Sequence, residues 1–382
     1  MMKSPSLTIG IEEEYQIIDP ETRELKSFIT QFMESKAGAM EVKKGELKAG
    51  VKAELHASMV ELGTPVCQSV AELKTALFAQ RAAIHELAAQ RGLQIAAAST
   101  HPFSHWLGQE ISPFERYAKT VEDHQVIAQR MLIFGMHVHI GIEDRDFAID
   151  CMNTVRYALP HILALTTSSP FWAGQFTGMK SYRSIIFEDM PRTGLPETFP
   201  SWAAFDRFVQ RLINTGCIAD GSKIWWDVRP HYAFPTLEFR VPDICTRAEE
   251  AVAVAALLQA VVAWMWNLRK HNMTFRTYRG DLIAENKWRA LRDGLDGRMI
   301  DFGREEEVAT RQLVRELLLL VDEEIDDLGS REEIEVIYRI LEEGTSADRQ
   351  KKVYLQHGGD ANREEALRAV VDHLVRETAE GI

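Results

Sequence analysis

Glu12 and Glu14 in Gly10-Ile11-Glu12-Glu13-Glu14-Tyr15, His137 and His139 in Met136-His137-Val138-His139-Ile140, and Glu238 and Arg240 in Thr236-Leu237-Glu238-Phe239-Arg240-Val241 share one spacing. Each pair is two residues apart in a stretch that reads as a β-strand, where side chains alternate between faces. Each pair therefore projects from a single face, its members about 7 Å apart. The opposite face receives Ile11, Met136, Val138, Ile140, Leu237, Phe239 and Val241. A sheet with one apolar face and one face of carboxylate, imidazole and guanidinium is costly to build unless the polar face binds something. Oxygen-rich ligand sets suit Mg²⁺ or Mn²⁺, and those ions commonly arrive with phosphate groups. The histidine pair could ligate zinc, but the carboxylates around it favour a harder ion. These features point to an enzyme site.

Each group also has a structural alternative. Glu12 and Glu14 would suit the solvated face of an edge strand, the histidines a satisfied core, and Glu238 with Arg240 a mutual ion network. Glu54 and Glu61 are seven residues apart, so a regular strand would place them on opposite faces. They reach one site only if the chain bends or bulges near Ala57-Ser58. Arg183 in Lys180-Ser181-Tyr182-Arg183-Ser184 and Arg229 in Trp225-Trp226-Asp227-Val228-Arg229-Pro230-His231 sit in loop-like contexts with aromatic neighbours. Such arginines suit an anionic substrate or a structural ion pair. Trp106, Trp172, Trp202, Trp225 and Trp226 could wall an acceptor pocket or pack a core.

These side chains need a sheet to hold them. Leu7–Ile18 reads as a strand, turned by Asp19-Pro20-Glu21-Thr22 toward a hairpin partner at Leu25–Phe28, and Val51–Leu62 contains a further extended stretch. Ser69-Val70-Ala71-Glu72 predicts a capped helix running to about Gln90 and closed by Gly92. Leu93–Ser99 reads as a buried strand, His124–Leu132 and Asp146–Thr166 as helices, and Ser168–Ile185 as a long loop. Charged amphipathic helices follow at Val308–Asp327, Arg331–Glu343 and Glu364–Ala379. Strands scattered among helices, with polar faces and hairpin-like turns, predict an α+β fold with an antiparallel sheet. The expected organisation is a single catalytic domain over 1–382, with a sheet core to about 300 and a helical C-terminal segment from about 301 to 382.

Composition excludes several classes. A net charge of −13 argues against a nucleic-acid partner. It leaves ATP open, because a metal ion and a few arginines offset a distant acidic surface. The apolar run Ala251–Trp266 falls short of a membrane span and predicts a buried helix, so no membrane partner is expected. Four scattered cysteines and no signal peptide at the first residues lead to a reduced, cytoplasmic setting as the expectation. There is no GxGxxG or Walker-type loop.

In their order along the chain, the motifs resemble the carboxylate–amine ligase family, the bacterial type 2 relatives of glutamate–cysteine ligase. The resemblance rests on the three strands above and on Val60-Glu61-Leu62-Gly63-Thr64-Pro65, Ser99-Thr100-His101-Pro102, Ser181-Tyr182-Arg183, Asp227-Val228-Arg229-Pro230 and Gly344-Thr345-Ser346-Ala347-Asp348-Arg349-Gln350. The family implies a glutamine-synthetase-like fold, a curved antiparallel sheet with helices packed on one face. By the resemblance, Glu12, Glu14, Glu54, Glu61, His137 and Glu238 form the shell for Mg²⁺ or Mn²⁺. Arg240 meets the transferred phosphate, with Glu238 and Glu12 beside it. Arg183, Tyr182, Arg229, His139 and Thr64 contact substrate. The implied activity joins the γ-carboxylate of L-glutamate, or a similar acid, to an amine such as cysteine, using ATP and an acyl phosphate. Two alternatives are a metal-dependent phosphotransferase or ATP hydrolase on the same sheet, and a non-catalytic metabolite-binding protein. The C-terminal helices are compatible with a homo-oligomer.

Overall fold

The computed structural model describes residues 3–34 and 51–382. Its central sheet has seven strands: β1 (Ile9–Ile18), β2 (Val51–Ala53), β3 (Met59–Gly63), β4 (Gln94–Ala96), β5 (Met136–Gly141), β6 (Val228–Pro230) and β7 (Thr236–Phe239). The order across the sheet is β6-β7-β5-β1-β3-β2, with β4 pairing the far end of β1, and every pairing is antiparallel. The sheet is open, and the architecture is the expected α+β.

Alternation decides what each face meets. On β1, Ile9, Ile11, Tyr15 and Ile17 are buried on one face, and Glu12 and Glu14 stand partly accessible on the other. The apolar face packs against α1 (Val70–Ala89) and α3 (Ala248–Lys270), with the short α2 (Tyr182–Glu188) lying between them in the chain. Ser69 caps α1 by accepting from the Glu72 N–H at 3.2 Å, while Glu72 reaches back to the Gln68 N–H at 2.7 Å. The third helix is longer than its apolar run. By length and composition it could cross a membrane, but 83% of its apolar window is buried inside the protein. Buried on nearly all sides, it is the central core helix. Leu257, Leu258, Val261 and Val262 along it are almost fully enclosed, each contributing about 1.5–3 kcal/mol.

Glu13 points into that apolar face, between the two outward glutamates. Arg81 of α1 meets it in a fully buried pair, Nη2 to Oε1 at 2.5 Å and Nε to Oε2 at 3.0 Å. Arg81 also donates to the carbonyls of Thr246 and Cys245, at 2.7 and 2.8 Å, and the Tyr15 hydroxyl donates to Glu13. The two buried charges thus meet each other, with carbonyl and hydroxyl partners around them.

The extended stretch expected within Val51–Leu62 forms as two strands, β2 and β3, and the chain bends between them at an Ala57-Ser58 turn. Other elements differ from the sequence expectations. Asp146–Thr166 divides into Arg145–Val155 and Leu159–Thr166, where Pro160 opens the second helix. Gln125, with φ of 53°, separates Glu115–His124 from Val126–Gln129. The loop after Ser168 ends early in α2, and Glu306–Ala309 is a strand ahead of the helix Thr310–Leu320.

The C-terminal helices α4 (Arg331–Glu343) and α5 (Ser346–Gln356) pack back on the core, α4 directly against α3. At the start of α5, Thr345 bonds Thr167 at 2.7 Å, Ser346 bonds Thr246 at 2.6 Å, and Gln350 donates to the Ser168 carbonyl at 2.8 Å. Arg349 clamps Glu250 at 2.8 Å and Glu377 at 2.9 Å.

Candidate active site

Strand register turns the polar pairs into rows across the sheet. In the first row Arg229 stands opposite Glu238, and Glu238 opposite His139. In the second, His137 stands opposite Glu12, and Glu12 opposite Gly63. Arg240, one residue past the Phe239–Val138 pair, joins this row with Nη1 3.4 Å from His137 Nδ1. In the third, Glu14 faces Glu61, and Glu61 faces Lys52.

Two acidic groups result. Oxygens of Glu14, Glu54 and Glu61 lie within 4.8 Å of one another. The turn at Ala57-Ser58 lets Glu54 fold back over β3 and join Glu61. Burial, then the Glu61 carboxylate, pushes Glu14 up to about 7. Burial, Glu61 and Glu14 push Glu54 well above the carboxylate range. Close carboxylates with raised proton affinity are what a bound cation relieves. In the second group, His137 Nδ1 is 3.6 Å from Glu12 and 3.9 Å from Glu238. Burial, aided by Arg240, lowers His137 to about 4, so the ring is neutral and able to ligate. Burial would raise Glu12, but His137 and His139 outweigh it and hold it ionised. Arg240 and Arg229 likewise outweigh burial at Glu238. The first group fits a hard divalent cation.

Gly135 keeps the space between them open. A Cβ there would stand 2.8 Å from Arg183 Nη2, 3.3 Å from His137 Nε2 and 3.4 Å from Glu14 Oε2. Arg240 is fixed by Glu238 at 2.5 Å, and its buried Nε has no partner among the described residues. Buried Arg183 also has an unpartnered Nε, while its Nη2 donates to the Arg240 carbonyl at 3.1 Å. Asp243 sets this arginine's loops: it accepts from Ser168 N, Ser169 Oγ and Ser181 Oγ at 2.7–2.9 Å. Ser169 Oγ in turn accepts from Arg183 N at 3.1 Å.

Cavities flank the rows on both sides. One, of about 340 Å³, opens beside Glu14 and Glu54; Met59, Met131, Ile133, Met190 and Trp225 form its apolar wall. Apart from those carboxylates, its charged lining is cationic: Arg116, Arg183, Lys223 and Arg240. The other, of about 430 Å³, has Ile11, Pro65, Val66, Phe234 and Pro235 as an apolar wall, with Glu12, Lys52 and His139 at its polar edge. A larger cleft of about 620 Å³ lies away from the rows, between Lys180, Trp288 and Lys351; the chemistry-bearing side chains are at the two smaller ones.

The model of glutamate–cysteine ligase family 2 matches residues 8–373. The chain belongs to that family. It is an ATP-dependent carbon–nitrogen ligase of the glutamate–cysteine ligase type. Proteins named "Putative glutamate--cysteine ligase 2" from Chloroflexus aggregans and Solibacter usitatus are 52% and 50% identical to it. The aligned regions cover 99% of this chain in both cases, and 93% and 95% of those proteins. In fold it is similar to glutamate–cysteine ligase of Francisella tularensis, solved in complex with AMP, with a TM-score of 0.67, 12% identity, and coverage of 99% and 90% of the two chains. The bifunctional glutathione synthetase of Pasteurella multocida gives 0.64 at 13% identity, covering 98% of this chain and 53% of that one.

Most residues singled out from the ligase's sequence converge: Glu12, Glu14, Glu54, Glu61, His137, His139, Glu238 and Arg240 lie on or over one sheet face, with Arg183 against it. Thr64 borders the second cavity, its hydroxyl accepting from Ile11 N at 2.9 Å. Tyr182 borders neither flanking cavity; its ring packs on Trp172. Arg229 is buried behind Glu238, bonded to it at 2.7 Å and to the carbonyls of Ser222 and Ile224, so its donors are engaged in the scaffold. Of the five tryptophans, Trp225 lines the first cavity. Sequence reasoning missed Lys52, which bonds Glu61 at 2.7 Å and Glu12 at 3.1 Å. Its two-residue spacing from Glu54 was the available signal.

Proposed function

We propose that this ligase phosphorylates the γ-carboxylate of L-glutamate with ATP and joins the resulting acyl phosphate to the amine of a second compound that bears its own carboxylate, cysteine being one such compound. The supporting observation is the pair of cavities on opposite sides of the carboxylate rows, with Arg240 lining the one beside Glu14. The apolar cavity at Glu12 and His139 suits a nucleotide base, its phosphates pointing to the rows. The cavity at Glu14 suits acid and acceptor.

Mg²⁺ or Mn²⁺, held by Glu14, Glu54 and Glu61 and by Glu12, His137 and Glu238, would neutralise phosphate charge. Arg240, locked by Glu238, keeps Nε for an oxygen of the moving phosphoryl group. Transfer breaks the bond from the γ-phosphorus to ADP and forms one to the acid's carboxylate oxygen. Arg183 holds that acid. The amine nitrogen then attacks the acyl carbon, the carbon–oxygen bond to phosphate breaks, and the amine's proton is released. Arg116 and Lys223 suit the acceptor's carboxylate, and the methionine wall suits an apolar or thiol side chain. A cationic lining disfavours polyamines.

The test is ATP-dependent phosphate release with Mg²⁺ and L-glutamate, with and without a panel of amino acids and polyamines, products being read by mass spectrometry. A γ-glutamyl amide formed in step with phosphate is the expected result, and Lys223→Ala should raise the acceptor KM about tenfold. ATP loss without a coupled product, or a preference for polyamines, refutes the reading.

A further inference from the structure

Lys52 is an ammonium placed inside two sets of carboxylates. Its position on β2 sets it opposite Glu61. Its stem carries Nζ across Gly63 toward β1, ending 2.7 Å from Glu61 Oε1 and 3.1 Å from Glu12 Oε1. A Cβ at Gly63 would lie 3.6 Å from Glu12 Cγ and 4.0 Å from Nζ, in ordinary contact with both, so Nζ passes close over this residue. Glu61 belongs to the group with Glu14 and Glu54; Glu12 belongs to the group with His137 and Glu238. One side chain therefore holds a carboxylate from each group.

The partners differ in freedom. The Lys52 side chain is 50% exposed and that of Glu61 is 9% exposed. The carboxylates are held by the sheet, while the four-carbon stem can swing. A divalent ion on the same oxygens would repel the ammonium at this distance. The open direction is the apolar cavity that Lys52 itself borders with Gly10, Thr64 and Pro65. Nucleotide phosphates entering there would be the nearest uncompensated negative charge.

We propose that Lys52 is a tethered counter-cation. It bridges Glu12 and Glu61 in the unloaded enzyme and moves to a nucleotide phosphate oxygen as divalent ions take those carboxylates. Metal and nucleotide loading are thereby coupled through one side chain. This rests on the metal- and ATP-dependent reading above.

The test is Mn²⁺ titration of the metal-stripped full chain, following the EPR signal of free Mn²⁺, with and without a non-hydrolysable ATP analogue. Wild type, Lys52→Gln and Lys52→Arg are compared, with Lys52→Met as a second neutral variant and melting curves to establish folding. Without nucleotide, Lys52→Gln should bind Mn²⁺ about tenfold more tightly than wild type. The analogue should strengthen Mn²⁺ binding in wild type and, by reciprocal linkage, much less in the neutral variants. Lys52→Arg should restore the wild-type pattern. Wild-type Mn²⁺ binding with unchanged or weaker binding by folded neutral variants overturns the Lys52 proposal and leaves the metal site intact. No Mn²⁺ binding by wild type removes the metal reading and this proposal with it.

Discussion

Replacing Arg81 with methionine should destabilise the protein more than a typical core substitution. The guanidinium makes two bonds to Glu13 and one each to the Thr246 and Cys245 carbonyls, with both charged side chains at most 1% exposed. Methionine fills much of the volume and donates nothing. The Glu13 carboxylate would remain in the apolar layer with the Tyr15 hydroxyl as its donor. Stranding one member of a buried pair costs about 3–5 kcal/mol, and unpaired carbonyls add to it. A loss of about 5 kcal/mol is a third or more of a typical stability of about 5–15 kcal/mol. With a urea slope of about 3 kcal/mol/M, the unfolding midpoint would fall by about 1.7 M. The assay is equilibrium urea unfolding by tryptophan fluorescence, run as a cycle with Glu13→Gln. The double variant should recover about half of the loss, because a neutral amide replaces a stranded charge. A single-variant loss below about 1 kcal/mol, or a double variant no more stable than Arg81→Met, would refute the reasoning.

Three other perturbations follow from the site and its surroundings. Glu14→Gln should raise the melting temperature in chelator, by removing one of three crowded carboxylates, yet abolish amide formation; a lower melting point would count against the repulsion described. Gly135→Ala drives a methyl to 2.8 Å from Arg183 Nη2 and should lower kcat/KM about 100-fold with little change in melting temperature, which steady-state kinetics can check. Burial lowers His101 to about 3 and His161 to about 4. Both fold as neutral bases, so their contribution is intact above the unfolded value of about 6.5 and is lost as pH falls. At pH 5 each should cost about 2 kcal/mol, so His161→Leu should flatten the fall in urea midpoint between pH 7.5 and 5. An unchanged slope would refute that assignment.

What the sequence displayed was local. Period-two spacing alone pairs Glu12 with Glu14, His137 with His139 and Glu238 with Arg240, because alternation belongs to a single strand. Their assembly into rows depends on β5 lying between β7 and β1, a long-range arrangement that no spacing encodes. Glu54 and Glu61 carried the wrong parity for one strand, and a turn between them resolved it. Glu13 was hidden by its charged neighbours; only the pleat shows that it faces Arg81 and not the site. Tyr182 was carried in by its place in a motif, but as the first residue of α2 it turns toward Trp172. Arg229 suited either an anionic substrate or a structural ion pair, and the β6–β7 pairing buries it behind Glu238.

Gln350 bonds the Ser168 carbonyl, Ser168 N–H bonds Asp243, and Asp243 orders the serines that seat Arg183. This chain of contacts has a consequence for synthesis. Arg183 emerges from the ribosome near the midpoint of the chain, the Arg240 carbonyl and Asp243 that brace it follow later, and Gln350 secures the Ser168 end only with the last helices. A nascent chain can form its central strands early and still lack the last contact that braces Arg183. Catalytic competence would then begin close to chain release, well after the glutamates and histidines are in place.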